Sequence, residues 1–98
     1  MDYAITDFMT KNFTNVETTT SSLGTYYVTG MMNNDRYTIS KQQFFIITKR
    51  INESEKYVAV YHSVTEVCDL LVSIKNNDII IANEGAKFLA SMIGCDTI

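Results

Sequence analysis

Residues 44–74 constrain the fold more than any other stretch. Phe44-Phe45-Ile46-Ile47-Thr48-Lys49-Arg50-Ile51 and Lys56-Tyr57-Val58-Ala59-Val60-Tyr61-His62 are dense in β-branched and aromatic residues, with polar Asn52-Glu53-Ser54-Glu55 between them. Such runs fit a pleated, half-buried surface, and a short polar gap between them reads as a hairpin loop. Ser63-Val64-Thr65-Glu66 then has the form of a capping box, in which Ser caps the first turn and Glu reaches back to it. Val64, Val67, Cys68, Leu71 and Ile74 follow at helical spacing. The expectation is an antiparallel hairpin that feeds directly into a helix.

Residues 41–51 also admit a helix. Ser40-Lys41-Gln42-Gln43 fits a second capping box, and Phe44, Ile47 and Ile51 would then share one helix face. The bulk and branching of Phe-Phe-Ile-Ile-Thr weigh toward the strand. If 52–55 form the loop, Ile51 faces Lys56, Lys49 faces Val58, Ile47 faces Val60 and Phe45 faces His62. That side is the more aliphatic and is expected to face the core. The other side carries Phe44, Ile46, Thr48, Arg50, Tyr57, Ala59 and Tyr61, an aromatic surface with one cation.

The remaining chain gives weaker signals. Ile5, Phe8, Met9 and Phe13 sit at helical spacing after Asp2, a candidate N-cap. Residues 14–22 are nearly all Thr, Ser, Asn and Glu around Val16, a loop or the frayed start of a strand. Gly24 to Met31 and Arg36 to Ser40 read as strands joined at Asn33-Asn34-Asp35, residue types that tolerate left-handed backbone. Ile79-Ile80-Ile81-Ala82 is either a short buried strand or the opening of the last helix. Asn83 can cap residues 84–93, where Ala86, Leu89 and Ile93 form a stripe that Phe88 and Met92 widen. Gly94 stands where a left-handed terminator belongs.

Ninety-eight residues amount to a single domain. A chain of this size buries roughly 60–65% of its unfolded surface, which leaves little room for a deep pocket. Hydrophobic residues make up 46% and charged residues 19%, a globular composition. The net charge of −3, eleven carboxylates against eight Lys and Arg, disfavours direct nucleic-acid binding, which needs clustered cations. There is no basic, apolar leader and no apolar run of membrane-spanning length, so a cytoplasmic protein is expected. Proline is absent and Asn, Ile, Lys and Tyr are plentiful. These are residues of AT-rich codons and point to a low-GC genome such as that of a phage or mobile element.

Reactive constellations are missing from the sequence. His62 is the sole histidine. It could act as a general base, but Cys68, one turn into the next helix, has apolar helix neighbours. Cys68 and Cys95 lack the short spacing of a zinc site. The glycines form no phosphate-binding loop. Glu66, Asp69, Asp78 and Glu84 sit where carboxylates offset helix dipoles. No enzyme, cofactor or metal is expected. Two surfaces remain. One is the aromatic side of the hairpin with Phe44, Arg50, Tyr57 and Tyr61, residue types enriched at protein-binding hot spots. The other is an acidic surface from Asp35, Glu53, Glu55, Glu66 and Asp69, joined if the two hairpin turns approach each other.

The order of elements from Gln43 to Asn77 is a strand, an acidic turn, a strand containing Tyr57-Val58, and a capped helix ending in Lys75-Asn76-Asn77. This pattern, about a third of the chain, resembles one group of anti-CRISPR proteins, small phage inhibitors of Cas9. The resemblance implies a non-enzymatic inhibitor. That group resembles acidic DNA mimics, from which a net charge of −3 departs, and no individual functional residue carries over.

The expectation is therefore an α+β domain with a small antiparallel sheet of three to four strands, flanked by an N-terminal helix and two C-terminal helices. Its expected role is to bind a host protein or ribonucleoprotein complex and block it, with a nucleic-acid-binding regulator that uses the sheet aromatics as the alternative.

Overall fold

Asparagines turn this chain. In the computed structural model, which describes residues 3–98, Asn33 and Asn34 take φ of 54° and 68° and Asn52 takes 57°. Asn pays less than other side chains for left-handed backbone, because its short amide bonds locally. Asn33-Asn34 closes a two-residue hairpin with Met32 opposite Asp35. Paired positive φ values match the twist of the flanking strands. Asp2, the expected N-cap, lies outside the described residues.

The elements run α1 (Tyr3–Asn12), β1 (Thr14–Thr20), β2 (Tyr26–Met32), β3 (Asp35–Lys41), β4 (Phe45–Ile51), β5 (Ser54–Tyr61), α2 (Val64–Lys75), α3 (Glu84–Ile93) and β6 (Asp96–Thr97). The fold class is α+β, as expected. The sheet is larger than expected, with six strands in chain order. It is also mixed, because β6 runs parallel to β5 at the edge. Residues 41–51 are not helical: Lys41 ends β3, 42–44 form a bend and 45–51 are β4, while the Thr-rich run is the edge strand β1. Residues 79–82 form neither strand nor helix.

One face of the sheet carries the core. Val28, Ile39, Ile47 and Ala59 lie in line across β2 to β5. Ile5 and Met9 of α1 and Val67, Leu71 and Ile74 of α2 pack on them. Full burial of such a side chain stabilises the fold by about 1.5–3 kcal/mol. Gly30 lies on this face, and a Cβ there would stand 2.9 Å from Met9 Cε and 3.0 Å from Phe13 Cβ. Glycine lets α1 and its exit sit directly on β2.

The opposite face is polar across its middle. Thr29, Thr38 and Thr48 stand opposite one another on β2, β3 and β4. The third helix packs on this side at β5, on the face opposite α1 and α2. Gly85 permits it, since a Cβ would fall 3.0 Å from Val60 Cβ. Ala86 and Ala90 fill the rest of the contact. Asn83 caps α3, accepting from Ala86 N–H at 2.9 Å, and Gly94 ends it at φ 75°. At α2 the Ser63 cap is present, with Glu66 N–H donating to Ser63 Oγ at 3.3 Å, while the return contact runs from the Ser63 hydroxyl, which donates to Glu66 Oε1 at 3.0 Å, rather than from its backbone N–H.

The hairpin register differs from the expected one. The loop is Asn52-Glu53, with Ile51 opposite Ser54, and an irregularity near Val58 then shifts the pairing by one residue. Phe45 therefore faces Tyr61 and Ile47 faces Ala59, while Tyr57 faces Thr48. A bulge flips the side-chain alternation across it. Tyr61 and Ala59 consequently join the core face with Phe45 and Ile47. Tyr57 stays on the other face with Thr48. The single aromatic surface of Phe44, Arg50, Tyr57 and Tyr61 does not form.

Candidate functional site

Two grooves meet at the end of β5. Consecutive side chains on a strand point to opposite faces, so Tyr61 opens into one groove and His62 into the other.

The first groove lies between α2 and the segment before α3. Tyr61, Glu66, Asp69, Leu70, Ile79 and Ile81 line a volume of about 340 Å³. Helical spacing places Glu66 and Asp69 on one side of α2, above Tyr61. The Tyr61 hydroxyl is held above the usual phenol range by burial and then by the nearby carboxylates of Glu66 and Asp69. Ile79 and Ile81 are 94% and 79% exposed, which leaves two branched apolar side chains in water beside two carboxylates.

The second groove lies between α3 and the polar face of the sheet. Phe44, Val60, His62, Phe88, Leu89 and Met92 line a volume of about 420 Å³ that is almost wholly apolar. Phe44 meets His62 edge to face at 5.8 Å between ring centroids. Phe88 and Met92 remain 68% and 66% exposed. The helix turns its small residues inward, because Gly85, Ala86 and Ala90 are what fit against β5. Its large side chains are left outward.

The other expected site residues gather at the far end of the sheet. There Asp35 forms an ion pair with Lys49 at 3.4 Å, Arg50 one with Glu55 at 3.9 Å, and Thr48 Oγ1 donates to Glu55 at 2.7 Å. Glu53 is exposed in the turn. The two hairpin turns do come together, since Arg36 pairs with Arg50 across β3 and β4. They bring Arg36, Lys49 and Arg50 along with the acids, so this end is charge-balanced rather than acidic. Burial lowers the Lys49 pKa, but its contacts with Tyr37 and Asp35 outweigh that and leave it above the usual lysine value. Tyr57 lies between these ends, its hydroxyl raised by burial and then by Cys95 and Glu55. Its carbonyl accepts from Ile98 N–H at 3.1 Å.

The nine residues read from the sequence thus divide. Tyr61, Glu66 and Asp69 share one groove and Phe44 lines the other. Asp35, Arg50, Glu53 and Glu55 cluster at the opposite end, and Tyr57 stands apart. The residues missed are Ile79, Ile81, Phe88 and Met92. For Phe88 and Met92 the sequence signal was an apolar stripe on residues 84–93 wider than one buried face requires; for Ile79 and Ile81 it was the run Ile79-Ile80-Ile81-Ala82, read as a buried strand or the opening of the last helix.

His62 is exposed, Cys68 is half-buried against the core, and Cys95 is exposed. Among the described residues no group of three or more His, Cys, Asp or Glu is placed to hold a metal ion, and no helix is long and apolar enough to cross a membrane. Searched against protein-family models, curated proteins and solved structures, the chain finds no match.

Proposed function

We propose that this chain is a non-enzymatic binding module that docks on a host protein or ribonucleoprotein complex and blocks it, as a phage or mobile-element inhibitor of a host defence or host enzyme would. One observation carries the reading: Phe88 and Met92 stand in solvent over an apolar groove that they share with Phe44 and His62. Contiguous exposed apolar surface of this kind marks interaction sites. Aromatic and methionine side chains are enriched where proteins meet. Each large apolar side chain fully covered by a partner contributes about 1.5–3 kcal/mol before the costs of association.

The surface invoked here differs from the hairpin surface expected from the sequence. It is built on α3, the segment before it and the end of β5. The acidic pair Glu66 and Asp69 borders it through Tyr61 and gives electrostatic selection at its rim.

The nucleic-acid alternative has less support. Tyr57 and Tyr61 lie on opposite faces, so they make no shared stacking platform. Lys49 and Arg50 are already paired with acids.

The test is an inhibition assay. A complex captured from host lysate by the tagged chain is purified, and its activity is measured with added wild-type chain or added Phe88→Asp. The expected result is inhibition by wild type and none by the variant. Full activity in the presence of saturating wild type contradicts the blockade reading.

A further inference from the structure

We infer that the groove beside Tyr61 is a receptor for an arginine side chain of the partner, carried next to an aliphatic residue in that partner's chain. This deepens the protein-binding reading and rests on it.

The groove is built for a cation with an apolar stem. Glu66 and Asp69 stand on one wall, Tyr61 and Leu70 lie below, and Ile79 and Ile81 form the opposite rim. Among the described residues neither carboxylate takes part in a salt bridge: Lys11, Lys49, Arg50, Lys56 and Lys87 are paired with other acids, and Arg36, Lys41 and Lys75 form no salt bridge. Glu66 Oε1 accepts from the Ser63 hydroxyl at 3.0 Å, which fixes that carboxylate in place. Charge complementarity therefore selects a cation.

The rest of the groove selects the kind of cation. Guanidinium is planar, stacks on aromatic faces and bonds carboxylates through several N–H groups, whereas ammonium is a strongly hydrated point charge. Tyr61 supplies the aromatic ring and two carboxylates supply the acceptors. The exposed Ile79 and Ile81 cover the aliphatic stem and its apolar neighbour. The chain already holds a cation on a ring one strand away, where Lys41 Nζ lies 4.7 Å from the centroid of Phe45, the cross-strand partner of Tyr61.

The test is a nitrogen-15 NMR titration of the full chain with an acetylated Leu-Arg-Leu amide and with its citrulline twin, which is neutral and nearly isosteric. The expected result is shifts concentrated at Tyr61, Glu66, Asp69 and residues 79–81. The arginine peptide is expected to bind about tenfold more tightly than the twin, a difference that shrinks as salt rises. A Glu66→Gln, Asp69→Asn double variant abolishes the preference while its circular dichroism stays as in wild type and its melting falls only slightly, by the lost helix-dipole contribution, since Gln can still accept from the Ser63 hydroxyl. Glu17→Gln, in the far edge strand, controls for net charge and leaves the preference intact.

Equal binding of the two peptides, shifts elsewhere, or a preference retained by the double variant overturns the inference. If that happens while the chain still captures and inhibits a host complex, the arginine receptor falls and the protein-binding reading stands. If the arginine preference holds and no host complex is captured, the groove chemistry stands and the inhibitor reading falls.

Discussion

The side chain of Asn83 closes on both backbone groups of Val60, donating to its carbonyl at 2.8 Å and accepting from its N–H at 3.1 Å. One amide thus imitates a neighbouring strand at the edge of β5. The same oxygen caps α3 through Ala86 N–H. Edge strands leave unpaired backbone that other chains can join. Asn83 removes that opening at the point where the two grooves meet.

Asn83→Ala should destabilise the protein by about 2–4 kcal/mol, the sum of a lost N-cap and unpaired backbone groups of Val60. Chemical denaturation measures the loss. Hydrogen exchange at Val60 should accelerate more than exchange at Ile39 in the sheet centre. Uniform acceleration across both would show that Asn83 acts only as a helix cap.

Gly30→Ala should cost about 1–3 kcal/mol through overpacking. The added methyl meets Met9 Cε, which can swing away, and also Phe13 Cβ, which moves only with its backbone. Thermal melting should fall accordingly, and a Met9→Ala change in the same chain should not restore it. Restoration would place the strain on the Met9 side chain alone.

Alkaline pH should weaken the fold from about pH 10 upward. Tyr57 and Tyr61 have folded-state pKa values raised above 10.0, and Lys49 one raised above 10.5. A raised pKa means that the folded state holds its proton longer than the unfolded one. The stability these groups contribute is fully present below the unfolded values and is lost as pH rises through the folded ones. Ultraviolet titration should show late-ionising tyrosines, and Tyr61→Phe should remove part of that late phase. Ordinary titration of every tyrosine contradicts the partly buried placement of both rings.

The parts of the fold legible in the sequence were those set by local chemistry. Ser63 with Glu66, Asn83 with Gly94, and the period from Val64 to Ile74 each fix an end or face of a helix without reference to anything distant. The hairpin register was not legible. A two-residue turn at Asn52 and an irregularity at Val58 are choices that the same residues permit, and local propensity does not decide between registers. The edge strand β1 gave no alternation, because only Val16 among its residues is drawn toward the core. Two-residue β6 is too short to leave a pattern. The site was half legible for a similar reason. Glu66 and Asp69 were visible as a helix face, but whether Phe88 and Met92 face inward depends on how closely Gly85 approaches Val60, a tertiary fact.

Docking through Phe88 is decided by calorimetric titration of the captured partner into wild-type chain and into Phe88→Asp, with melting curves of both proteins in hand. The melts should match to within about 0.5 kcal/mol of stability, because Phe88 is a surface residue. Affinity should fall at least about a hundredfold, the scale of a hot-spot side chain. Undiminished binding by a folded Phe88→Asp chain would contradict docking through this residue.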